Sequence, residues 1–254
     1  MTYDLRIIRV VTAIFCLTIA LLAIANPSDK KTKSKAPAVE TVDTGSFGVF
    51  VKGERVATET FSIQQQGGNS ITKSEAKEIV GANPATEKSH LEMTANGELI
   101  RYDWSQSSGG SLSVVPNNEF LLEKINAPSS SKPAEQPFLM PSTSAILDNN
   151  FFVHREVLIW RYLATACKAE ANGFNCQRVP GDFGVLVPQD RASERVRLEL
   201  AGKEKIQVRG TDREMMRLNL KGDDYDWALW VDEQDHFKLI KVAIPADNTE
   251  VVRD

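Results

Sequence analysis

Three histidines, His90, His154 and His236, are the side chains of this chain best suited to proton transfer near neutral pH. They are far apart in sequence, and none belongs to a His-Glu-x-x-His or other metal-ligand spacing. The chain also lacks a Gly-x-Ser-x-Gly nucleophile elbow and a Gly-rich phosphate loop. We therefore expect surface or hydrogen-bonded histidines and a protein that is not an enzyme. A hydrolase of an unfamiliar type is the alternative, and it requires a cleft that joins a histidine to a carboxylate and a hydroxyl.

Acidic residues are concentrated in one short segment, at Asp223, Asp224 and Asp226. Carboxylates are the ligands that calcium prefers, but this segment lacks the alternating oxygen ligands and the distal Glu of an EF-hand loop. The sequence therefore predicts a solvated turn between strands, with no metal and no cofactor.

Two cysteines remain after the N-terminal region, Cys167 and Cys176, with eight residues between them. Asn172 and Gly173 lie in the middle of that segment and are typical of a tight turn. The spacing is not that of a Cys-x-x-Cys redox pair, so we expect a structural disulfide, with two unrelated buried thiols as the alternative. A disulfide indicates an oxidising compartment.

Residues 1–25 have the pattern of a secretory leader. Arg6 and Arg9 precede the uncharged apolar run 10–25, which ends in small residues at Ala23 and Ala25. This predicts export to the periplasm after cleavage. The alternative is an uncleaved inner-membrane anchor, which four lysines just after the run favour: Lys30, Lys31, Lys33 and Lys35. If the segment is not cleaved, we expect membrane contact only through residues 1–25. Residues 26–45 are predicted to be a flexible linker.

Helical periodicity is found in residues 148–167, where the apolar positions form one wide stripe: Phe152, Val153, Val157, Ile159, Trp160, Leu163 and Ala164. Asp148 or Asn149 is expected to cap this helix. The polar positions form a narrow edge that faces solvent or a polar neighbour: His154, Arg155, Glu156 and Arg161. A helix with such a wide apolar arc is expected inside a fold.

Strand-like alternation precedes and follows the helix, with a favoured hairpin turn at Asn96 and Gly97. Residues 70–80 fit either a strand or a short helix. In residues 195–209 we expect two strands joined at Ala201 and Gly202, with apolar side chains on one face: Val196, Leu198, Leu200, Ile206 and Val208. The predicted fold is mainly β (α+β), a curved antiparallel sheet or half-barrel that wraps one central helix, in a single domain of residues 46–254.

The Pro/Ser-rich loop at residues 127–144 is expected to lack regular structure. It is either a disordered connector or a surface flap that packs Phe138, Leu139 and Met140 against the core.

Six large aromatic residues are expected between the helix and the sheet: Phe151, Phe152, Trp160, Trp227, Trp230 and Phe237. They either fill a solid core or line a cavity for an apolar ligand. The net charge of −4 argues against nucleic acid as a partner, because phosphate binding needs clustered Lys and Arg.

The leader resembles that of exported bacterial envelope proteins, and so do the segments GVFVKGERVATETFSI, LDNNFF and DWALWVDEQDHFKLIKV. Over most of residues 46–244 the pattern is similar to the lipoprotein-carrier (LolA/LolB-like) superfold. The resemblance implies an open curved sheet over helices and an apolar ligand, and it assigns no functional residue. The carriers cover their sheet with more than one helix, whereas one clear helix is found here.

Two functions are therefore expected. The first is a non-enzymatic protein of the periplasm or cell envelope that binds a lipid or other apolar ligand in the concave face of the sheet. The alternative is an envelope interaction or scaffold module with a solid core and no ligand, which binds a protein partner, for example through residues 127–144.

Overall fold

The computed structural model describes residues 38–254, apart from residues 82, 83, 131, 171, 172 and 224. The predicted leader, residues 26–37 of the predicted linker, and Asp224 lie outside the described residues. Within the described part of the chain, no helix has the length and apolar character required to cross a bilayer.

Strands make up most of the described chain. Those that precede the helix are β1 Val39–Val51, β2 Glu54–Gln66, β3 Asn69–Glu78, β4 Thr86–Thr94, β5 Leu99–Gln106, β6 Ser111–Asn117, β7 Phe120–Asn126, β8 Ala134–Phe138 and β9 Ala145–Ile146. After helix α1 (Val153–Ala166) come β10 Cys167–Glu170, β11 Gly173–Cys176, β12 Gly181–Val187, β13 Ala192–Val208, β14 Thr211–Lys221, β15 Asp226–Asp232, β16 Lys238–Ile244 and β17 Thr249–Arg253.

Fifteen of these strands form one sheet in the order β8-β7-β6-β5-β4-β3-β2-β1-β17-β16-β15-β14-β13-β12-β9. Every neighbouring pair is antiparallel except β9 and β12, because hairpin turns join most strands that are consecutive in sequence. The first and last strands pair in the middle of the sheet, with Val49 opposite Val251. The sheet is open, since its edge strands β8 and β9 are not neighbours in this order. For residues 38–254 as the structure describes them, the prediction of a mainly β protein with one α-helix is confirmed.

One face of the sheet is apolar and packs on α1. In β2 the inward positions Glu59, Phe61 and Ile63 are buried, and the positions between them reach solvent. This alternation is the period-2 pattern of a half-buried strand. The predicted hairpin between β4 and β5 is confirmed, and Gly97 adopts the positive φ of +78° that this turn needs.

Residues 192–208 form one continuous strand that contains a β-bulge, so the predicted break at Ala201 and Gly202 is wrong. The bulge lies between Leu200 and Gly202, and the extra residue reverses the faces of the side chains that follow. Leu200 packs in the main core, whereas Val208 belongs to a small cluster with Met215, Trp230 and Ile240 on the other face. The prediction that all five apolar residues share one face is therefore also wrong.

Two segments are more regular than the sequence predicts, and a third adopts one of its two predicted alternatives. Residues 39–45 belong to β1 rather than to the linker, and residues 69–78 form strand β3 rather than a helix. Within the Pro/Ser-rich loop, residues 134–138 form the edge strand β8. Of the apolar triplet there, Phe138 and Met140 are buried, but Leu139 is 78% exposed.

Helix α1 begins later than predicted, at Val153, because residues 148–151 form a turn in which Asp148 Oδ1 accepts a hydrogen bond from Asn150 N. Neither Asp148 nor Asn149 is the N-cap residue, which is Phe152. His154, Arg155 and Glu156 are buried, so this polar edge of the helix faces polar neighbours rather than solvent.

The predicted disulfide between Cys167 and Cys176 is present and joins β10 to β11 directly after the helix. The hairpin returns onto α1 through a hydrogen bond from Gln177 N to Ala166 O, and Phe174 packs edge-on against Phe237.

Candidate functional site

A buried carboxylate from the sheet binds the N-terminus of α1. Phe152, the N-cap residue, makes no side-chain capping bond. Instead, Glu59 Oε2 accepts a hydrogen bond from Phe152 N at 2.6 Å, and Glu59 Oε1 accepts from Val153 N at 3.3 Å and from Ser74 Oγ at 2.6 Å. A negative charge here satisfies free N–H groups and the positive end of the helix dipole. Burial nevertheless raises the pKa of Glu59 to about 7.

A second buried carboxylate, Asp148, fixes the turn that precedes the helix. The Tyr102 hydroxyl donates to Asp148 Oδ2, and the Arg155 guanidinium donates to the main-chain oxygens of Asp148 and Phe151. Burial raises the pKa of Asp148 to about 6. The Arg155 guanidinium also lies 4.9 Å from the centre of the Trp227 ring, which is a cation–π distance.

A third charged contact ties the helix to the centre of the sheet. Arg253 of β17 donates to Glu156 Oε2 at 3.3 Å and to both carboxylate oxygens of Asp43 in β1. Burial raises the pKa of Glu156 well above its usual value. Polar groups of α1 are therefore bound to strands from both halves of the sheet.

His154 lies next to a hydroxyl, as a hydrolase would require. Its Nε2 is 3.4 Å from Ser89 Oγ, and both side chains are buried. Burial lowers the pKa of His154 to about 3, which keeps the imidazole neutral. In the described part of the chain no group bonds to His154 Nδ1, so the arrangement lacks the carboxylate that orients the histidine of a catalytic triad.

Two adjoining cavities of about 750 and about 460 Å³ lie beside the first turn of α1 and share Val49, Val51 and Asn149. We call them together the N-terminal cleft. Its apolar wall comes from the ends of several strands and from the helix: Val49, Val51, Val56, Ala57, Ala76, Val80, Phe152, Trp227 and Ile244. Val80 is 54% exposed at the opening. The cleft therefore combines an apolar wall with an apolar edge that water reaches.

Two asparagines from the turn before α1 line the same cleft. Asn149 Nδ2 donates to Asp190 at 2.7 Å, and Asn149 Oδ1 accepts from Tyr225 Oη at 3.4 Å. Asn150 Nδ2 donates to Glu87 at 2.9 Å. These bonds fix the turn, and with it the position of Phe152 in the cleft wall.

Another cavity, of about 670 Å³, lies along the C-terminal half of the helix. Val157, Trp160 and Phe183 form its apolar side, and the β2–β3 and β4–β5 turns form its opposite side. We call it the C-terminal cavity.

The structure separates the six predicted lining residues. Phe152 and Trp227 line the N-terminal cleft, with ring centres 6.4 Å apart, and Trp160 lines the C-terminal cavity. Phe151 and Phe237 are buried in the main core. The prediction that Trp230 lies between helix and sheet is wrong, because it is three residues from Trp227 and successive strand residues point to opposite faces.

The remaining candidates are dispersed. His236 is exposed in a turn, and His90 lies on β4 with Lys73 and Asp103 as its cross-strand neighbours. Asp223 and Asp226 line the N-terminal cleft. Among the described residues, no group of His, Cys, Asp and Glu has the arrangement of a metal site.

Glu59 was not singled out from the sequence, although a signal was present. It has the same strand parity as Phe61 and Ile63, so alternation alone places it on the buried face. No protein-family model, curated protein or solved structure matches this chain.

Proposed function

We propose that this protein is a non-enzymatic component of the bacterial periplasm or cell envelope that binds an apolar chain, such as a lipid acyl chain, in the N-terminal cleft. The observation that carries the proposal is the apolar wall of this cleft, which ends at the exposed Val80. Ligand sites are typically concave and mostly apolar, with few polar groups that fix orientation. Asn149 and Asn150 are two of the polar groups here, and acidic residues also line the cleft.

We also propose that the sheet curves around α1 as a half-barrel, and the connection between its edge strands supports this. Residues 139–144 connect β8 to β9, although these strands are the two edges of the sheet. The connection from Phe138 to Ala145 spans at most about 25 Å of extended chain. In a flat sheet, fifteen strands would place the edges about 67 Å apart. A sheet that curves around α1 would bring its two edges within this reach and would make its inward face concave.

Another trough, on the outer face of β2–β7 and of about 750 Å³, is a poorer candidate. Its lining is rich in Ser, Lys and paired charges, such as Arg101 with Asp103 and Lys88 with Glu75. Paired surface charges offer little binding energy to a ligand. The N-terminal cleft is therefore the site we assign.

The periplasmic location is supported by the disulfide between Cys167 and Cys176, because disulfides persist in oxidising compartments. The leader, as predicted from sequence, would direct the chain there.

Native mass spectrometry of the protein isolated from its own envelope tests the proposal, together with binding of a neutral fluorescent apolar probe. The variant Ala76→Phe places a large ring in the cleft and should weaken probe binding about tenfold or more. Ala134→Phe is the matched control, because Ala134 is exposed on the edge strand β8. If no lipid co-purifies and the wild-type protein does not bind the probe, the proposal is wrong.

An envelope interaction module is the second candidate, and the exposure of Leu139 beside the edge strand β8 favours it. Deleting residues 127–144 would not test it, because Phe138 and Met140 are buried. Leu139→Ser should abolish retention of an envelope partner, whereas Val179→Ser, at another exposed apolar residue, should not. Equal retention by both variants would exclude Leu139 as the contact.

A further inference from the structure

Carboxylates surround the opening of the N-terminal cleft. Seven acidic residues are found among the residues that line it: Glu78, Glu87, Asp190, Glu194, Asp223, Asp226 and Asp247. The described lining includes no Lys, Arg or His. Asp190, Asp223, Asp226 and Asp247 are exposed, so their carboxyl groups face the water at the opening.

Three of these carboxylates, those of Asp190, Glu78 and Glu87, accept hydrogen bonds from neutral groups. Asp190 accepts a hydrogen bond from the Asn149 amide, and Glu78 accepts one from Ala85 N. Glu87 accepts from Trp104 Nε1 and from the Asn150 amide. Neutral donors stabilise a carboxylate without cancelling its charge, so the negative potential of the rim persists.

The buried Arg155 does not neutralise the rim. Its guanidinium stacks against the Trp227 ring and donates to main-chain oxygens of the turn before α1. Two other buried carboxyl groups, Asp148 and Glu59, lie close enough to interact with its charge. Arg155 therefore belongs to the core below the cleft.

We infer that the N-terminal cleft accepts amphiphiles whose polar end is uncharged or carries an ammonium group, and that it rejects anionic amphiphiles such as free fatty acids. The inference rests on the proposed function, because it concerns the headgroup of the same apolar ligand. A chain that enters along Phe152 and Val51 leaves its polar end at the rim, within one Debye length of several carboxylates. An anionic headgroup is repelled there, and an ammonium group is attracted.

Three amphiphiles with the same dodecyl chain test the inference: dodecyltrimethylammonium, dodecyl maltoside and dodecanoate. Each is titrated below its micelle concentration against the neutral probe, with far-UV circular dichroism to confirm that the fold persists. At low salt we expect dodecyltrimethylammonium to bind about tenfold or more tightly than dodecanoate, with the maltoside between them. At 0.5 M salt the difference should contract severalfold, because the rim is exposed.

The double variant Asp223→Asn/Asp226→Asn should bring the affinities for dodecyltrimethylammonium and dodecanoate closer together. Asp212→Asn is the matched control, because Asp212 is exposed on β14 and does not line the cleft. If dodecanoate binds as tightly as the maltoside, or if Asp212→Asn narrows the preference equally, the headgroup inference is wrong although the cleft still binds apolar chains. If none of the three amphiphiles binds, the proposed function itself is wrong.

Discussion

Glu59 Oε2 accepts a hydrogen bond of 2.6 Å from the main-chain N–H of Phe152, so a buried carboxylate of β2 binds the first turn of α1. Phe152 also forms part of the wall of the N-terminal cleft. The position of that wall therefore depends on a polar contact inside the core. Stability and ligand binding should respond together to changes at Glu59.

Replacing Glu59 by Ala should lower the free energy of unfolding by about 3 kcal/mol. The substitution leaves the N–H groups of Phe152 and Val153 without an acceptor and removes buried side-chain volume. Urea unfolding followed by tryptophan fluorescence measures the change.

Glu59→Gln should cost less than Glu59→Ala, because the amide oxygen still accepts one of the helical N–H groups. Glu119→Ala serves as the control at an exposed position and should change stability by less than about 0.5 kcal/mol. A Glu59→Ala protein as stable as this control would show that the helix does not depend on the carboxylate.

We expect the stability of the protein to depend on pH because of the buried carboxyl group of Glu123. It is fully buried in β7, and among the described residues neither carboxylate oxygen has a hydrogen-bond partner. Burial raises its pKa from 4.5 to about 7, and the positive charge of Arg191 opposes this shift. Because the folded-state pKa lies above the unfolded value, the folded protein retains this proton between pH 4.5 and 7. The stability that the folded protein gains from holding Glu123 in its neutral form is fully present below pH 4.5. It is lost as the pH rises through 7.

Glu123→Gln removes this titration. At pH 8 the variant should be more stable than the wild type by about 2 kcal/mol, because the wild type then buries an ionised carboxylate. At pH 4.5 the two proteins should be nearly equal. Thermal unfolding at both values measures the difference, and a gap that does not change with pH would contradict the assignment.

Substitutions at Trp227 and Trp230 should both lower stability, but only the one at Trp227 should affect ligand binding. Both indoles pack in apolar clusters, but Trp227 lines the N-terminal cleft and Trp230 lies on the outer face of β15 with Val208 and Met215. Replacing either by Ala should cost about 2–4 kcal/mol of stability.

Only Trp227→Ala should weaken binding of the neutral probe, severalfold or more. Trp230→Ala is the matched control in the same strand. Equal loss of affinity in both variants would place the ligand elsewhere than in the N-terminal cleft.

Alternation and turn residues were sufficient to predict a mainly β chain with one central helix, because these signals are local. The bulge between Leu200 and Gly202 was not predictable in this way. Gly202 adopts a φ of +139°, yet in the sequence a glycine at this position is equally typical of a turn between two strands. Because Gly202 was assigned to a turn rather than to a bulge, Ile206 and Val208 were predicted on the wrong face of the sheet.

The candidate site was predicted only in part, because it depends on pairings over long sequence distances. Phe152 and Trp227 were found by size and periodicity. Glu59 and Phe152, by contrast, are 93 residues apart, and no local pattern connects them. The strand parity of Glu59 indicates burial, but its partner is known only from the packing of α1 on β2.

The disulfide between Cys167 and Cys176 should stabilise the fold without affecting the N-terminal cleft. It closes a short hairpin directly after the last turn of α1, whereas the cleft lies beside the first turn. Replacing both cysteines by Ser should lower the free energy of unfolding by about 2.5 kcal/mol, mainly because the unfolded chain gains conformational freedom. Affinity for the neutral probe should be unchanged at temperatures where the variant remains folded. Weaker probe binding by this folded variant would mean that the hairpin positions the helix along its whole length, and that the two ends of α1 are coupled.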